Sequence, residues 1–142
     1  MSALYLTGRP VMSEASTIVE RFRRAILDGD DDALRSSLSD EVFFAFGGES
    51  PFAGTYSGPE EVVSLFRAIR ERSGSTFAPA DPNSFDVLES EYHCALLDRW
   101  VARRGDSELS SHQVWVLHLK DGRVGDGFIY FEDQRGFDAF WT

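Results

Sequence analysis

Few side chains in these 142 residues have the types and spacing that chemistry needs. Asp98 is the first, a lone carboxylate inside the apolar run Cys94-Ala-Leu-Leu-Asp-Arg-Trp-Val101. A carboxylate carried into such surroundings must be paired, hydrogen-bonded or protonated, and a protonated one is a candidate general acid or base. The histidines are the next candidates, as zinc ligands. Strand alternation puts His93, His112 and His118 on one face, with Asp126 the nearest further ligand type. That is too little for a metal centre, so neither metal nor cofactor is expected. Cys94 has no basic neighbour to hold a thiolate and reads as a small buried hydrophobe. Gly47-Gly48 is followed by neither lysine nor helix start, and no GxSxG, HExxH, GxGxxG or CxxC pattern occurs.

Charge narrows the partners. The balance is 24 acidic residues against 14 basic, a net charge of −10. Phosphate backbones and anionic lipid are repelled over most of such a surface, so neither nucleic acid nor membrane is an expected partner. No apolar run approaches the roughly 18 residues of a membrane helix. Residues 1–12 lack a leader pattern and read as a flexible N-terminal segment ahead of one domain over 13–142. One cysteine excludes an internal disulfide and suits the cytoplasm. Twelve Phe, four Tyr and three Trp exceed the needs of an ordinary core this small, which suggests an aromatic-lined cavity or interface.

The elements that must position these groups follow from periodicity. Ile18, Val19, Phe22 and Ile26 recur at helical spacing, with Glu20, Arg21, Arg23 and Arg24 opposite, and Gly29 ends the helix. Asp30 or Asp31 caps a short second helix holding Ala33, Leu34 and Leu38. Glu41–Phe46 reads as a strand, followed by a loop to Gly58. Ser57-Gly-Pro-Glu60 starts a third helix, with Ser57 as cap, burying Val62, Phe66 and Ile69. Strands follow at about Phe85–Glu89, Tyr92–Arg104, Leu109–Leu119 and Val124–Phe131. Asp133 caps a closing helical turn with Phe137, Phe140 and Trp141. This is an α+β order with helices on one face of a sheet.

Three stretches carry a resemblance. They are Ile18–Leu34 with Gly29-Asp30 between two helices, Ser50-Pro-Phe-Ala-Gly-Thr-Tyr-Ser-Gly58 leading into the helix of Phe66, and the ending. That ending comprises Leu119-Lys-Asp-Gly-Arg-Val124, Tyr130-Phe-Glu-Asp-Gln134 and Phe137-Asp-Ala-Phe-Trp141. Together, from Ser13 to Trp141, they resemble the nuclear transport factor 2-like superfamily in its SnoaL-like and ketosteroid isomerase-like group. The resemblance implies a cystatin-like cone, in which a curved antiparallel sheet wraps three helices around an apolar pocket. It implies no single reaction.

Placing the ketosteroid isomerase residues by this resemblance puts the oxyanion Asp at Trp115, the Tyr donor at Phe22, and the base at Phe46 or Ala45. The acid/base pair of SnoaL-like cyclases falls near Trp115 and Ile129. None of these side chains moves a proton. With Trp115 as anchor, alternation turns Ser111, Gln113 and Leu117 inward, and Cys94, Leu96, Asp98 and Trp100 opposite them. A three-residue loop at Lys120–Gly122 adds Gly127, Ile129 and Phe131 to the wall, whereas a two-residue loop would flip the last strand. The expected pocket is therefore Phe22, Phe46, Phe66, Leu96, Trp100, Gln113, Trp115, Ile129 and Phe131. Asp98, oriented by Gln113, is the one catalytic candidate.

The opposite face gathers Leu97, Val101, Val114, Val116, Val124, Phe128 and Tyr130, too apolar to stay bare. A homodimer is expected there, with Val114, Val116 and Phe128 at its centre; cover by Ala3–Val11 is the alternative. The expected function is a pocket protein for a small apolar or aromatic molecule. The alternatives are an isomerase, cyclase or dehydratase using Asp98, and a protein-interaction module.

Overall fold

A computed structural model describes residues 13–142; the expected flexible segment 1–12, and any cover by Ala3–Val11, lie outside the described residues. Helix α1 (Glu14–Asp28) is capped by Ser13, whose hydroxyl accepts from the Ser16 N–H, and it ends at Gly29 in the left-handed region. Helix α2 (Asp31–Ser37) is capped by Asp30. Leu38, expected in that helix, instead opens strand β1 (Leu38–Phe46).

The segment read as loop contains β2 (Gly54–Ser57), which pairs antiparallel with β1. Helix α3 (Pro59–Arg72) therefore starts one residue later than its capping pattern suggested, with Gly58 at the cap position. Ser57 caps nothing: its N–H donates to the Glu61 carboxylate, while Glu60 pairs with Arg35. Two short strands follow, β3 (Ala78–Pro79) and β4 (Asp86–Glu89). The long strands are β5 (Cys94–Arg104), β6 (Ser107–Lys120) and β7 (Arg123–Phe131). Helix α4 (Gln134–Phe140), capped by Asp133, follows β7 and makes the helices four among the described residues.

The strands form one curved, open, seven-stranded sheet in the order β2-β1-β7-β6-β5-β3, with β4 also on β5. It is mixed: β1 and β7 run parallel, Phe44 beside Gly127. That junction departs from the all-antiparallel expectation, because β7, besides its hairpin partner β6, pairs along its other edge with β1. A Cβ at Gly127 would come within 2.8 Å of the Phe44 ring, so glycine is what lets that ring lie across β7.

Register decides what faces inward. Leu96 pairs with Trp115, Asp98 with Gln113 and Trp100 with Ser111 across β5 and β6. Trp115 pairs with Ile129, and Gln113 with Phe131, across β6 and β7. The connection is a two-residue turn, with Asp121 and Gly122 at φ 53 and 77 and Lys120 paired to Arg123. It does not flip the strand, because a bulge at Gly125 adds one residue between the pairs Leu119–Val124 and His118–Asp126. The two-residue turn sets Val124 opposite Leu119 and so turns it inward, where it is fully buried, correcting its expected place on the outer face.

Candidate functional site

Phe22 comes from α1, Phe44 from β1, Phe66 from α3 and Trp115 from β6, and their rings meet in the middle of the molecule. Phe22 lies 5.7 Å from Phe44, 6.3 Å from Phe66 and 5.7 Å from Trp115, while Phe66 stacks on Trp115 at 5.8 Å. Next to this cluster is a cavity of about 280 Å³. Its apolar walls are Ile26, Leu27, Phe66, Ile69, Phe77, Trp100 and Trp115. Asp28, Arg70 and Ser75, which keep contact with solvent, rim it.

Three expected pocket residues, Phe66, Trp100 and Trp115, line this cavity. The others stand elsewhere. Leu96 and Ile129 are core residues flanking Trp115 across the strands, and Phe22 fills the space behind it. Phe46 and Phe131 belong to a second aromatic cluster around Phe137, 5.8 Å and 3.8 Å from its ring. Gln113 and Phe131 border a separate, more open cavity of about 540 Å³ beside Phe85 and Tyr130. Ile69 and Phe77 went unassigned as pocket residues. Ile69 sits on the buried stripe of α3, but Phe77 lies in a connection without periodicity, where no pattern marks it.

Asp98 is buried, and its carboxylate has partners on every side. Arg23 Nε donates to Oδ2 at 2.6 Å, Trp100 Nε1 to Oδ2 at 2.8 Å, and the Arg99 backbone N–H to Oδ1 at 2.9 Å. Gln113, its cross-strand neighbour, does not hydrogen-bond to it; Gln113 Oε1 is buried without a partner. The orienting residue is thus Arg23, whose side chain is 1% exposed. This corrects its expected place on the polar face of α1. The same guanidinium donates to the carbonyls of Pro82 and Asp81 and lies 4.3 Å from the centre of the Phe85 ring. An ion pair this enclosed and this fully hydrogen-bonded is a fastening between α1, β5 and the 81–85 loop.

The His93 and His118 rings lie 4.0 Å apart, tilted at 51°, and His118 Nδ1 lies 2.7 Å from Asp126 Oδ1. Among the described residues no three His, Cys, Asp or Glu side chains are grouped to hold a metal ion. Cys94 is buried, which pushes its thiol above the ordinary range, with Glu89 adding to the rise. No helix of the described residues is long and apolar enough to cross a membrane.

No family model matches the sequence, and no curated protein matches it either. Solved structures do. Bal32a, from a soil-derived mobile gene cassette, is 27% identical over 91% of this chain and 97% of its own, with a TM-score of 0.84. A Xanthomonas campestris protein with a cystatin-like fold is 28% identical over 92% of this chain and 98% of its own, with a TM-score of 0.80. A nuclear transport factor 2-like protein from Burkholderia xenovorans shares the fold at 18% identity, covering 93% of this chain and 100% of its own, with a TM-score of 0.76. The chain thus shares the fold of nuclear transport factor 2-like proteins.

Proposed function

We propose that this chain is a SnoaL-like pocket protein that takes up a small, flat, apolar or aromatic molecule between α1, α3 and β5–β6. The observation that carries the reading is the cavity of about 280 Å³ walled by Phe66, Phe77, Trp100 and Trp115. Its volume lies near the lower end of ligand sites, which suits one or two fused rings. Larger hollows, such as one of about 690 Å³ between Pro51–Tyr56 and α3, are open surface grooves. The reading excludes the steroid double-bond isomerase mechanism, since Phe22, Phe46 and Trp115 stand where that chemistry needs a donor, a base and an acid. Asp98, committed to Arg23 and Trp100, is a poor proton handler. The buried single thiol is in keeping with a cytoplasmic setting.

Indane, titrated against the protein, is expected to quench tryptophan fluorescence with a dissociation constant on the order of 10 µM, as befits about nine heavy atoms. A β,γ-unsaturated ketosteroid should show no turnover. Absence of any quenching, or measurable isomerisation, would overturn the reading.

We further propose a homodimer through the outer sheet face. Supporting it, Val114, Val116 and Phe128 are half-buried side by side, and Tyr130 beside them is 58% exposed. Val116→Asp should then halve the mass seen by light scattering while leaving circular dichroism unchanged. An unaltered mass in the folded variant defeats the dimer.

A further inference from the structure

Among the described residues a single cation, Arg70, lines the cavity of about 280 Å³, and it stands on the last turn of α3. Its side chain is 34% exposed and holds Asp31 only loosely, with Nη1 3.5 Å from Oδ1. Asp31 has a firmer partner. Arg67 donates to its Oδ2 from Nε at 3.0 Å and from Nη2 at 2.7 Å, so the tie between α2 and α3 stands without Arg70. Gly29 marks where the Arg70 guanidinium lies. A Cβ on Gly29 would come within 3.0 Å of Nη1 and 3.5 Å of Cζ, so the group is pressed against backbone that itself lines the cavity. Asp28 and Ser75 are the other polar side chains of that rim. A guanidinium with a slack partner, at the mouth of an apolar hollow, matches a planar anion such as a carboxylate.

We infer that Arg70 sets the specificity of the pocket, and that its ligand is an aromatic carboxylate with the ring inside and the anion at the mouth. The inference rests on the pocket reading above and names its ligand class. The ring lies among the apolar walls. The carboxylate stays at the rim, where it keeps part of its hydration and accepts from the guanidinium in place of the distant Asp31 oxygen. Asp28 carries the same sign as the ligand and opposes it, so the contact with Arg70 must outweigh that repulsion. No bond is made or broken, and Arg70 acts as a binding residue only.

A matched ligand pair separates the two ideas. Indane and indane-5-carboxylate share a ring system and differ by one charged group. Both should quench the tryptophan fluorescence of the wild-type protein at neutral pH. Arg70→Gln should lose about fivefold more affinity for the carboxylate than for indane, the worth of a partly exposed charged contact. The ratio cancels any packing loss common to both ligands. In case the variant does not fold, salt supplies a second reading on the wild type. Contact with Arg70 makes sodium chloride weaken the carboxylate relative to indane, whereas the net charge of −10 acting alone would make it bind more tightly. Equal losses in the variant, or a relative affinity that holds or rises with salt, overturn the assignment of Arg70 while leaving the pocket standing. Binding of indane without the carboxylate does the same. Absence of indane binding overturns the pocket and the assignment with it.

Discussion

Arg23→Met is expected to lower the unfolding free energy by about 3–5 kcal/mol, the cost of removing one partner from a buried ion pair. The loss is large because of what stays behind. Asp98 would keep only the Trp100 indole and one backbone N–H, in a site where its side chain is fully enclosed. The carbonyls of Pro82 and Asp81 would lose their donor as well. Asp98→Asn should be costly too, since it leaves the guanidinium buried with carbonyl partners alone. The pair Arg23→Met with Asp98→Asn is then expected to cost less than the two losses added together, because each single variant leaves an uncompensated charge and the double variant leaves none. Urea unfolding at neutral pH, with the slope checked for constancy, measures all four corners of the cycle. Single losses below about 1 kcal/mol, or strict additivity, would show the pair to be dispensable.

Phe22→Ala is expected to cost a similar amount, about 3–5 kcal/mol, through lost burial and the hole left behind. Phe22 is fully buried, and the three rings around it are themselves held by β1, α3 and β6. They have little room to collapse inward. The hole would lie against Phe66 and Trp115, the two side chains that also wall the cavity, and so enlarge the space open to an apolar molecule. Saturating indane should therefore raise the melting temperature of Phe22→Ala by more than that of the wild type, since ligand that binds only the folded state stabilises it. Equal shifts in the two proteins would mean that the hole closes or stays isolated.

Arg23 also shows why part of the site was hidden from the sequence. It stands among Arg21 and Arg24, which makes it look like one more solvated cation. Yet Val19 and Arg23 are one helical turn apart, on the stripe that also carries Ile18, Phe22 and Ala25, and every one of these is buried. The stripe was legible; its single charged member was assigned by type rather than by position. Its partner lies on β5, and no local pattern joins the two. By contrast, alternation alone was enough for β5 and β6, because a strand has only two faces and one anchor fixes both. The facing of β7 was legible for a different reason than supposed: a two-residue turn and a one-residue bulge at Gly125 together have the effect of a three-residue loop. The β1–β7 junction and the brief strand β3 left no trace, since parallel pairing across the chain and two-residue strands carry no periodicity.

That parallel junction governs the order in which the molecule can be assembled. β1 finds β2 almost as soon as both have been made, but its other edge must wait for β7, which follows α3 and four further strands. Until then Val42, Phe44 and Phe46 present apolar side chains beside a row of unpaired backbone groups, a template for any stray strand. Contacts between such distant segments close slowly, because loop entropy is spent before any pairing is gained. The interval between synthesis of Phe46 and of Phe131 is accordingly the period in which this chain is most exposed to misassociation, and the late arrival of β7 ends it.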